Sequence, residues 1–486
     1  MKQFLALAAA VLAGSLASNA QPDSRPPNII LVFADDLGWR DVGYQSEGKF
    51  LTPNIDRFAK EGMVFSDAYA GGANCAPSRA CLLSGAYTPR HGVYAVGSTD
   101  RGPKHLQRLV PIPNTEGLRS EFVTVAEALK AAGYATGHFG KWHLAGKKGS
   151  LPSQQGFDVT FDSFGKEPLK EGSEGNQPGP QEDPKGVFTL TRKACEFMEA
   201  NKDRPFFCYL AHHAIHSPLQ TRPETRSLVT GRASAVGVSA EYLGCTYDLD
   251  ESFGLLLAKL KELGLEENTL VVFTSDNGAV QASSQEPLRG SKGGYYEGGI
   301  REPFIVRWPG VVKPGSSCDV PVINQDLFPT FLQAAKAPVP SAAKLDGESL
   351  VPLLNQSGVL KRGSIFWHFP GYLDDPVNRG RDRDFRTRPV SVMRSGDWKI
   401  HLYHEEWQLD GGPKNLATNK AVELYNLRAD PGERKDLALV ETAVRDRLLD
   451  ELLKWTAATK APLSTGKNPN YDHAGKIKPG KRSKEG

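Results

Sequence analysis

The stretch Cys75-Ala-Pro-Ser-Arg-Ala-Cys-Leu-Leu-Ser-Gly85 combines residue types that could act on an anion. Pro77 suits the first turn of a helix because its φ is fixed and it has no N–H. Residues 78–83 continue this helix and Gly85 is a typical stop, so Cys75 lies at or just before a helix N-terminus. Unpaired N–H groups and the positive dipole end favour a tetrahedral anion there, and Arg79 adds a planar fork of donors. Taken alone, Cys75 and Arg79 are more simply a structural cysteine and a surface arginine.

Four side chains with oxygen ligands directly follow predicted strands: Asp35, Asp36, Asp276 and Asn277. Adjacent carboxylates repel each other unless a cation lies between them. An all-oxygen ligand set favours calcium or magnesium over zinc, and we expect calcium because it tolerates irregular, higher coordination. The alternative is that these residues cap helices and form turns, since Asp-Asn-Gly is a common turn sequence.

One lysine and two histidines directly follow predicted strands and could complete such a site: Lys141, His143 and His216. A lysine can neutralise an anionic substrate, and histidines can transfer protons near neutral pH. The simpler interpretation is that a lysine is solvated at the surface and that the histidines have structural hydrogen bonds.

Apolar, β-rich runs alternate with amphipathic helical patterns along the first part of the chain. The predicted strands are 28–33, 64–69, 134–139, 205–211 and 269–273, and the predicted helices are 52–59, 123–132 and 242–263. This alternation predicts an α/β fold with a large, doubly wound, mostly parallel sheet. Ligands bind at the carboxyl ends of strands in such sheets. Because the candidate acids, Lys141, His143 and His216 all follow strands, and Cys75 comes a few residues after one, the sequence predicts one active site.

The pattern of predicted secondary structure changes after about residue 360. Residues 27–360 are predicted to form the catalytic domain, with long surface loops at 97–119 and 146–186. Short alternating strands and a helix at 441–455 predict a smaller α+β domain with an antiparallel sheet over 361–460. Residues 461–486 are predicted to be a disordered, polar and basic tail.

The N-terminus has the pattern of a secretory signal peptide over residues 1–20. Lys2 is followed by an apolar run at 4–16 and by the small residues Ser18-Asn-Ala20. The run is short for an uncleaved membrane anchor, and no later run is long enough to span a bilayer. We therefore expect an exported protein, either periplasmic or secreted, without a membrane span.

The charge balance and the cysteines narrow the function further. Lys and Arg number 59 against 56 Asp and Glu, a net charge of +3, which gives no support to nucleic-acid binding. Export permits disulfides among the six cysteines, but their spacing predicts neither a particular pairing nor a zinc site.

A basic cluster could receive an extended sulfated glycan: Arg379, Arg381, Arg383, Arg386 and Arg388. Because acidic residues are interspersed in it, a solvated charge run is the favoured interpretation.

The chain resembles the formylglycine-dependent sulfatases of the alkaline-phosphatase-like superfamily over about residues 27–437. The segments that carry the resemblance are the Cys75 motif, 28–38, 140–144, 216–220, 288–303 and 424–433. The resemblance implies that a formylglycine-generating or sulfatase-maturating enzyme oxidises Cys75 to 3-oxoalanine (formylglycine). It also implies one calcium ion held by Asp35, Asp36, Asp276, Asn277 and the modified Cys75.

The resemblance further implies the roles of the other residues. Hydrated formylglycine attacks sulfur through one hydroxyl, and Asp276 acts on the proton of that hydroxyl. Arg79, Lys141 and Lys292 neutralise the sulfate oxygens. His216, with Lys292, protonates the leaving oxygen, and His143 helps to remove the proton of the second hydroxyl, so that sulfate is expelled.

Three functions remain open on the sequence alone. The first is an exported sulfatase that hydrolyses sulfate esters, on a sulfated carbohydrate or polysaccharide. The second is a phosphoester or phosphonate hydrolase of the same superfamily, because the same cradle suits phosphate. The third is a sulfated-glycan-binding protein that has lost catalysis.

Overall fold

A computed structural model describes residues 25–161 and 181–472 of the chain. The predicted signal peptide, residues 1–20, lies outside the described residues, as does the predicted tail beyond residue 472. No helix in the described ranges is long and apolar enough to cross a membrane.

Fourteen strands lie in the described ranges. They are β1 (Asn28–Ala34), β2 (Met63–Phe65), β3 (Ala68–Tyr69), β4 (Ala135–Gly140), β5 (Val159–Phe161), β6 (Phe206–Ala211), β7 (Thr269–Ser275), β8 (Phe304–Arg307), β9 (Ser316–Cys318), β10 (Val322–Ile323), β11 (Ser364–Phe369), β12 (Val390–Ser395), β13 (Trp398–Tyr403) and β14 (Val422–Asn426).

Twelve α-helices lie in the same ranges. They are α1 (Pro53–Glu61), α2 (Cys75–Ser84), α3 (Thr88–His91), α4 (Val125–Ala131), α5 (Val187–Ala200), α6 (Pro223–Val236), α7 (Ala240–Glu262), α8 (Glu297–Ile300), α9 (Leu327–Ala334), α10 (Val351–Leu354), α11 (His404–Leu409) and α12 (Thr442–Thr459).

The large sheet has eight strands in the order β5-β4-β6-β1-β7-β8-β2-β9. The five strands from β5 to β7 run parallel, whereas β8 is antiparallel to both β7 and β2. The predicted α/β fold with a large, mostly parallel sheet is therefore confirmed. The run predicted as one strand at 64–69 is instead two short strands, β2 and β3. They belong to different sheets, because β3 pairs with β10.

The core has two layers, one on each face of the large sheet. Every residue of β1 is buried, and successive side chains alternate between the faces. Leu31 and Phe33 pack on one face with helices α4 and α9. Ile30 and Val32 pack on the other face with helices α1, α5 and α7. Such burial on both faces explains why this strand reads as an uninterrupted apolar run.

The C-terminal sheet is antiparallel, in the order β11-β12-β13-β14. Met393, Ile400 and Leu424 pack against helix α12. Trp367 instead packs toward the large domain, where its indole N–H donates to the Ala70 carbonyl at 2.7 Å. The antiparallel sheet expected after residue 360 is therefore present, and it is docked against the segment that leads into the Cys75 helix.

The first part of the predicted tail lies along the large domain. The N–H of Val110 donates to the Gly466 carbonyl at 2.8 Å, and the N–H of Asn468 donates to the Arg108 carbonyl at 3.0 Å. Through these bonds residues 461–472 follow the 105–110 segment, while the boundaries predicted for the tail and for the two domains stay predictions.

Candidate active site

The ends of two neighbouring strands bring the four oxygen-bearing candidates together. In the parallel pair β1 and β7, Ala34 lies beside Ser275, so the residues after each strand meet at one edge of the sheet. The N–H of Asp36 donates to Asp276 Oδ1 at 3.1 Å, and the N–H of Asp276 donates to the Ala34 carbonyl at 3.1 Å. Asp36 has a φ of 65°, a left-handed turn that aspartate adopts more readily than most residues.

Cys75 is the first residue of helix α2, as the sequence predicted. Asn74 precedes it in an extended conformation, and Gly85 ends the helix with a φ of 68°. All ten residues of α2 are buried, so the N-terminus of this helix opens onto the carboxylates rather than onto bulk water. Cys75 Sγ lies 3.3 Å from Asp35 Oδ1 and 3.9 Å from Asp36 Oδ1.

The oxygen donors of this cluster fit a hard divalent cation. One ligand atom each from Asp35, Asp36, Cys75 and Asp276 lie within 4.8 Å of one another, and all four residues are buried. Asn277 donates through Nδ2 to Asp36 Oδ1 at 2.8 Å, whereas its Oδ1 is buried with no hydrogen-bond partner among the residues that the structure describes. Because buried polar atoms are normally satisfied, the unpaired amide oxygen beside three carboxylates is what a cation site would show.

Three fixed cations line the same cluster: Arg79, Lys141 and Lys292. The Arg79 guanidinium donates twice to Asp276 Oδ2, at 3.1 and 2.8 Å, and once to the Lys141 carbonyl at 3.0 Å. Lys141 Nζ donates to Asp35 Oδ2 at 2.6 Å. Lys292 Nζ donates to Asp36 Oδ2 at 2.8 Å and lies 3.2 Å from Cys75 Sγ. The structure therefore places both lysines at the cluster and not at the solvated surface.

Burial and these charges shift the protonation of the cluster. Burial raises the pKa of the Cys75 thiol well above its usual value, and Asp276 and Asp35 raise it further. Burial alone would raise the pKa of Asp35, but Lys141 and other cations hold it well below its usual range. Burial and the neighbouring Asp35 raise the pKa of Asp276 to about 7. The unmodified cysteine is therefore a neutral thiol and a poor nucleophile at neutral pH.

The two candidate histidines lie at the rim. His216 Nε2 is 3.8 Å from Asp36 Oδ2, and its Nδ1 is 2.7 Å from the Ser217 carbonyl. Burial lowers the pKa of His216, so its neutral form is favoured near pH 7. Its side chain is 31% exposed, which leaves it open to a substrate. His143 is half-buried, two residues after Lys141, with a φ of 60°.

The basic cluster predicted as a solvated charge run is mostly engaged in ion pairs within the protein. Arg379 pairs with Glu286, Arg381 with Glu406 and Glu423, and Arg388 with Asp382 and Glu405. Arg383 is exposed, and Arg386 is bound to backbone carbonyls.

One cation near the site was missed from the sequence. Lys185 is buried, and its pKa is lowered first by that burial, while the carboxylates of Asp35 and Asp36 act in the opposite direction. It lies in the weakly periodic 146–186 segment, for which the sequence predicts a surface loop. Nothing in the residues around Lys185 signalled that it would be buried.

The comparisons with known proteins agree with this geometry. A family model described as Sulfatase matches residues 27–337, and one described as N-sulphoglucosamine sulphohydrolase, C-terminal, matches residues 291–409. Arylsulfatase A of Homo sapiens is 34% identical over 85% of this chain and 84% of its own length. N-acetylgalactosamine-6-sulfatase of Homo sapiens is 33% identical over 87% of this chain and 84% of its own length.

A solved structure extends the agreement to three dimensions. The crystal structure of Ps i-CgsB in complex with k-i-k-neocarrahexaose is 28% identical, with a TM-score of 0.70 over 90% of this chain and 94% of that one. A family model that matches most of the chain and relatives above 30% identity settle the family. The chain belongs to the sulfatases and is a hydrolase of sulfuric esters.

Proposed function

We propose that this protein is an exported sulfatase that removes sulfate from a sulfated carbohydrate, with formylglycine derived from Cys75 as its nucleophile and one calcium ion in its site. One observation carries the proposal: Cys75 opens a buried helix, 3.3 Å from Asp35 and 3.2 Å from Lys292. A cysteine in that position, with a raised pKa, has no evident purpose as a thiol. Oxidised to formylglycine, it would supply a hydrated aldehyde with two hydroxyls.

The cation would be held by Asp35, Asp36, Asp276, Asn277 and the modified Cys75. The first three supply carboxylate oxygens, and Asn277 supplies the amide oxygen that has no partner in the described structure. When bound, calcium would polarise a sulfate oxygen and stabilise the charge that develops on the nucleophile. All of its protein ligands are oxygens, which favours calcium over zinc.

The three fixed cations would hold the sulfate group in place. Lys141 and Lys292 are anchored on Asp35 and Asp36, and Arg79 is anchored on Asp276. Because each side chain is already bound before substrate arrives, little reorganisation is needed to face the sulfate oxygens. Arg79 and Lys141 are also buried, so water is largely excluded around them.

The histidines would move protons. His216 is partly exposed and sits 3.8 Å from Asp36, at the edge of the site where the leaving oxygen would emerge. In its protonated form it can donate a proton to that oxygen. His143 would take a proton from the second hydroxyl of the nucleophile, which lets the sulfate ester on the enzyme collapse. A serine in place of Cys75 would have no second hydroxyl and could not complete this step.

The relatives support a carbohydrate substrate. One is named for action on an N-acetylgalactosamine sulfate, and one solved structure contains a neocarrahexaose. The pattern at residues 1–20 supports export, which would bring the enzyme to such polymers. Oxidation of Cys75 requires a maturating enzyme of the producing cell.

The first experiment is mass spectrometry of the peptide that carries Cys75. The protein is produced with and without a sulfatase-maturating enzyme, and 4-nitrophenyl sulfate turnover is measured on both samples. We expect turnover to rise in proportion to the formylglycine fraction, with no activity in the thiol form. Full activity in protein that contains only thiol would refute the proposal.

Two variants and two further substrates complete the test. Cys75→Ala should abolish turnover, while Cys318→Ala, at a half-buried cysteine away from the cluster, should retain it. A phosphate monoester and a phosphonate monoester are compared with 4-nitrophenyl sulfate at equal concentration. Faster hydrolysis of either phosphorus ester would favour the phosphohydrolase alternative, and binding of sulfated glycans without any turnover would favour the binding protein.

A further inference from the structure

One arginine near the active site is held in place without an acidic partner. Arg386 donates through Nε to the Asp375 carbonyl at 3.1 Å and through Nη1 to the Lys292 carbonyl at 3.3 Å. No Asp or Glu forms an ion pair with it in residues 25–161 and 181–472. Its cluster neighbours Arg379, Arg381 and Arg388 all have such partners.

The backbone around Arg386 fixes its position. Its N–H donates to the Leu373 carbonyl at 2.8 Å, and the N–H of Leu373 donates to the Thr387 carbonyl at 3.1 Å. Two acids follow Leu373 in the chain. Asp374 forms an ion pair with Arg101, whose Nε donates to it at 2.7 Å. Asp375 is exposed and offers Arg386 its backbone carbonyl. A guanidinium held in this way keeps its orientation and still has N–H groups to spare.

Arg386 is connected to Cys75 through the Lys292–Gly293 segment. Its side chain lies over Gly293, where a Cβ would come within 2.3 Å of Arg386 Cδ. The N–H of Gly293 donates to the carbonyl of Ala73, two residues before Cys75, and the preceding Lys292 reaches Cys75 Sγ at 3.2 Å. Burial lowers the pKa of Arg386, while the charges of Asp375, Asp374 and, most weakly, Asp36 oppose this shift. The Arg386 side chain therefore lies against the backbone of the segment that carries Lys292.

We propose that Arg386 is a specificity residue that binds a second oxyanion of the substrate, either another sulfate or a carboxylate, while the cluster around Cys75 holds the sulfate to be cleaved. A guanidinium with two adjacent free N–H groups suits a planar carboxylate or one face of a sulfate. This inference rests on the proposed sulfatase function, and it narrows the substrate class to sugars or disaccharides with two anionic groups.

The test measures inhibition, so it does not depend on which sulfate the enzyme removes. Three sugars compete with 4-nitrophenyl sulfate: N-acetylgalactosamine 6-sulfate, its 4,6-disulfate, and a disaccharide of uronate and N-acetylgalactosamine 6-sulfate. The wild type should bind the disulfate or the uronate disaccharide more tightly than the monosulfate. The sugar that binds more tightly shows whether the second oxyanion is a sulfate or a carboxylate. Arg386→Gln should shrink that preference by about tenfold to hundredfold.

The matched control is Arg383→Gln, at an exposed arginine three residues away. It should leave the preference unchanged, and Arg386→Lys should restore part of it because the charge remains. The inference is overturned if the wild type binds all three sugars equally, or if Arg386→Gln weakens all three by the same factor. Absence of 4-nitrophenyl sulfate turnover in mature wild type would instead refute the sulfatase function itself.

Discussion

Two buried glutamates bind the same lysine, and replacing each with glutamine should change the free energy of unfolding in opposite directions at pH 8. Lys399 in β13 is fully buried, and its Nζ lies 2.9 Å from Glu297 Oε1 and 3.0 Å from Glu433 Oε1. Glu297 opens helix α8 in the large domain, whereas Glu433 follows β14 in the C-terminal domain. The pair therefore joins the C-terminal sheet to the segment that carries Lys292.

The neighbours of the two carboxylates differ. Burial alone would raise the pKa of Glu297, but Lys399, Arg301 and Arg394 lower it to about 2. Burial raises the pKa of Glu433 to about 7 and the charge of Glu297 adds to the rise, although Lys399 and the backbone N–H of Glu297 oppose it. Glu297 is thus ionised throughout the neutral range, and Glu433 holds a proton until about pH 7.

The sign of each effect follows from linkage. The folded pKa of Glu297 is depressed, so its stabilisation is present above about pH 4.5 and is lost as the pH falls toward 2. The folded pKa of Glu433 is raised, so its stabilisation is complete below about pH 4.5 and is lost as the pH rises through 7. Each shift corresponds to about 3 kcal/mol, at about 1.4 kcal/mol per pH unit.

We expect Glu297→Gln to lower the free energy of unfolding by about 3 kcal/mol at both pH 5 and pH 8. Glu433→Gln should leave the free energy of unfolding nearly unchanged at pH 5. At pH 8 it should raise that free energy by up to about 3 kcal/mol relative to wild type, reduced by about 1 kcal/mol because an amide then faces Lys399. For a chain of 486 residues, about 1 kcal/mol corresponds to about 1 °C in Tm. Thermal unfolding of the three proteins with calcium present measures both effects.

The contrast between the two variants carries the test. Taking each variant relative to wild type at the same pH cancels the titration of the active-site carboxylates. If Glu433→Gln destabilises the protein as much as Glu297→Gln does, and equally at pH 5 and pH 8, then Glu433 is ionised in the fold and the reasoning is wrong.

Three further predictions concern the active site and its helix. Lys141→Met should lower kcat by about 10²- to 10³-fold, because it removes a fixed cation 2.6 Å from Asp35. Lys148→Met, at the exposed end of the same loop, should leave kcat unchanged. Equal rates in the two variants would refute the role of Lys141 in holding the sulfate group. Gly85→Ala should destabilise the protein by at least about 1 kcal/mol in urea unfolding, because φ is 68° and the Cβ would meet Leu345 at 2.5 Å; an unchanged midpoint would contradict this. Removal of calcium with EDTA should abolish turnover while lowering Tm by only a few degrees, and calcium should restore activity better than magnesium.

Much of the site could be predicted because strand ends converge in a parallel sheet. Asp35 and Asp276 are 241 positions apart in sequence, but each directly follows a buried apolar run, and such runs are readable without a structure. The positions of Cys75 and Arg79 could be predicted for a different reason, since a proline marks the first turn of their short helix and a glycine marks its end. Local pattern was sufficient to place a candidate residue wherever it adjoined a regular element.

Other parts depended on contacts that no local pattern encodes. The run at 64–69 has strand composition throughout, yet it divides between two sheets because Phe65 pairs beside Cys318 whereas Tyr69 pairs beside Ile323. Arg386 resembles its neighbours in the sequence, and only the tertiary structure shows that Arg379, Arg381 and Arg388 are paired with acids whereas Arg386 is bound to backbone carbonyls. Lys185 is buried by packing that its own segment does not signal.

The charge balance of the site explains why calcium removal should separate activity from stability. Three carboxylates, Asp35, Asp36 and Asp276, face three fixed cations that are bound to them at 2.6 to 2.8 Å. Without a metal the buried cluster is therefore close to neutral, which avoids the large penalty of an unpaired buried charge, so the fold can persist. A bound divalent cation would make the same cluster positive, and only then would it complement a sulfate ester. If EDTA lowered Tm by about 10 °C or more, which is about 10 kcal/mol for a chain of this length, the carboxylates would need the metal for folding, and this account of the three cations would fail.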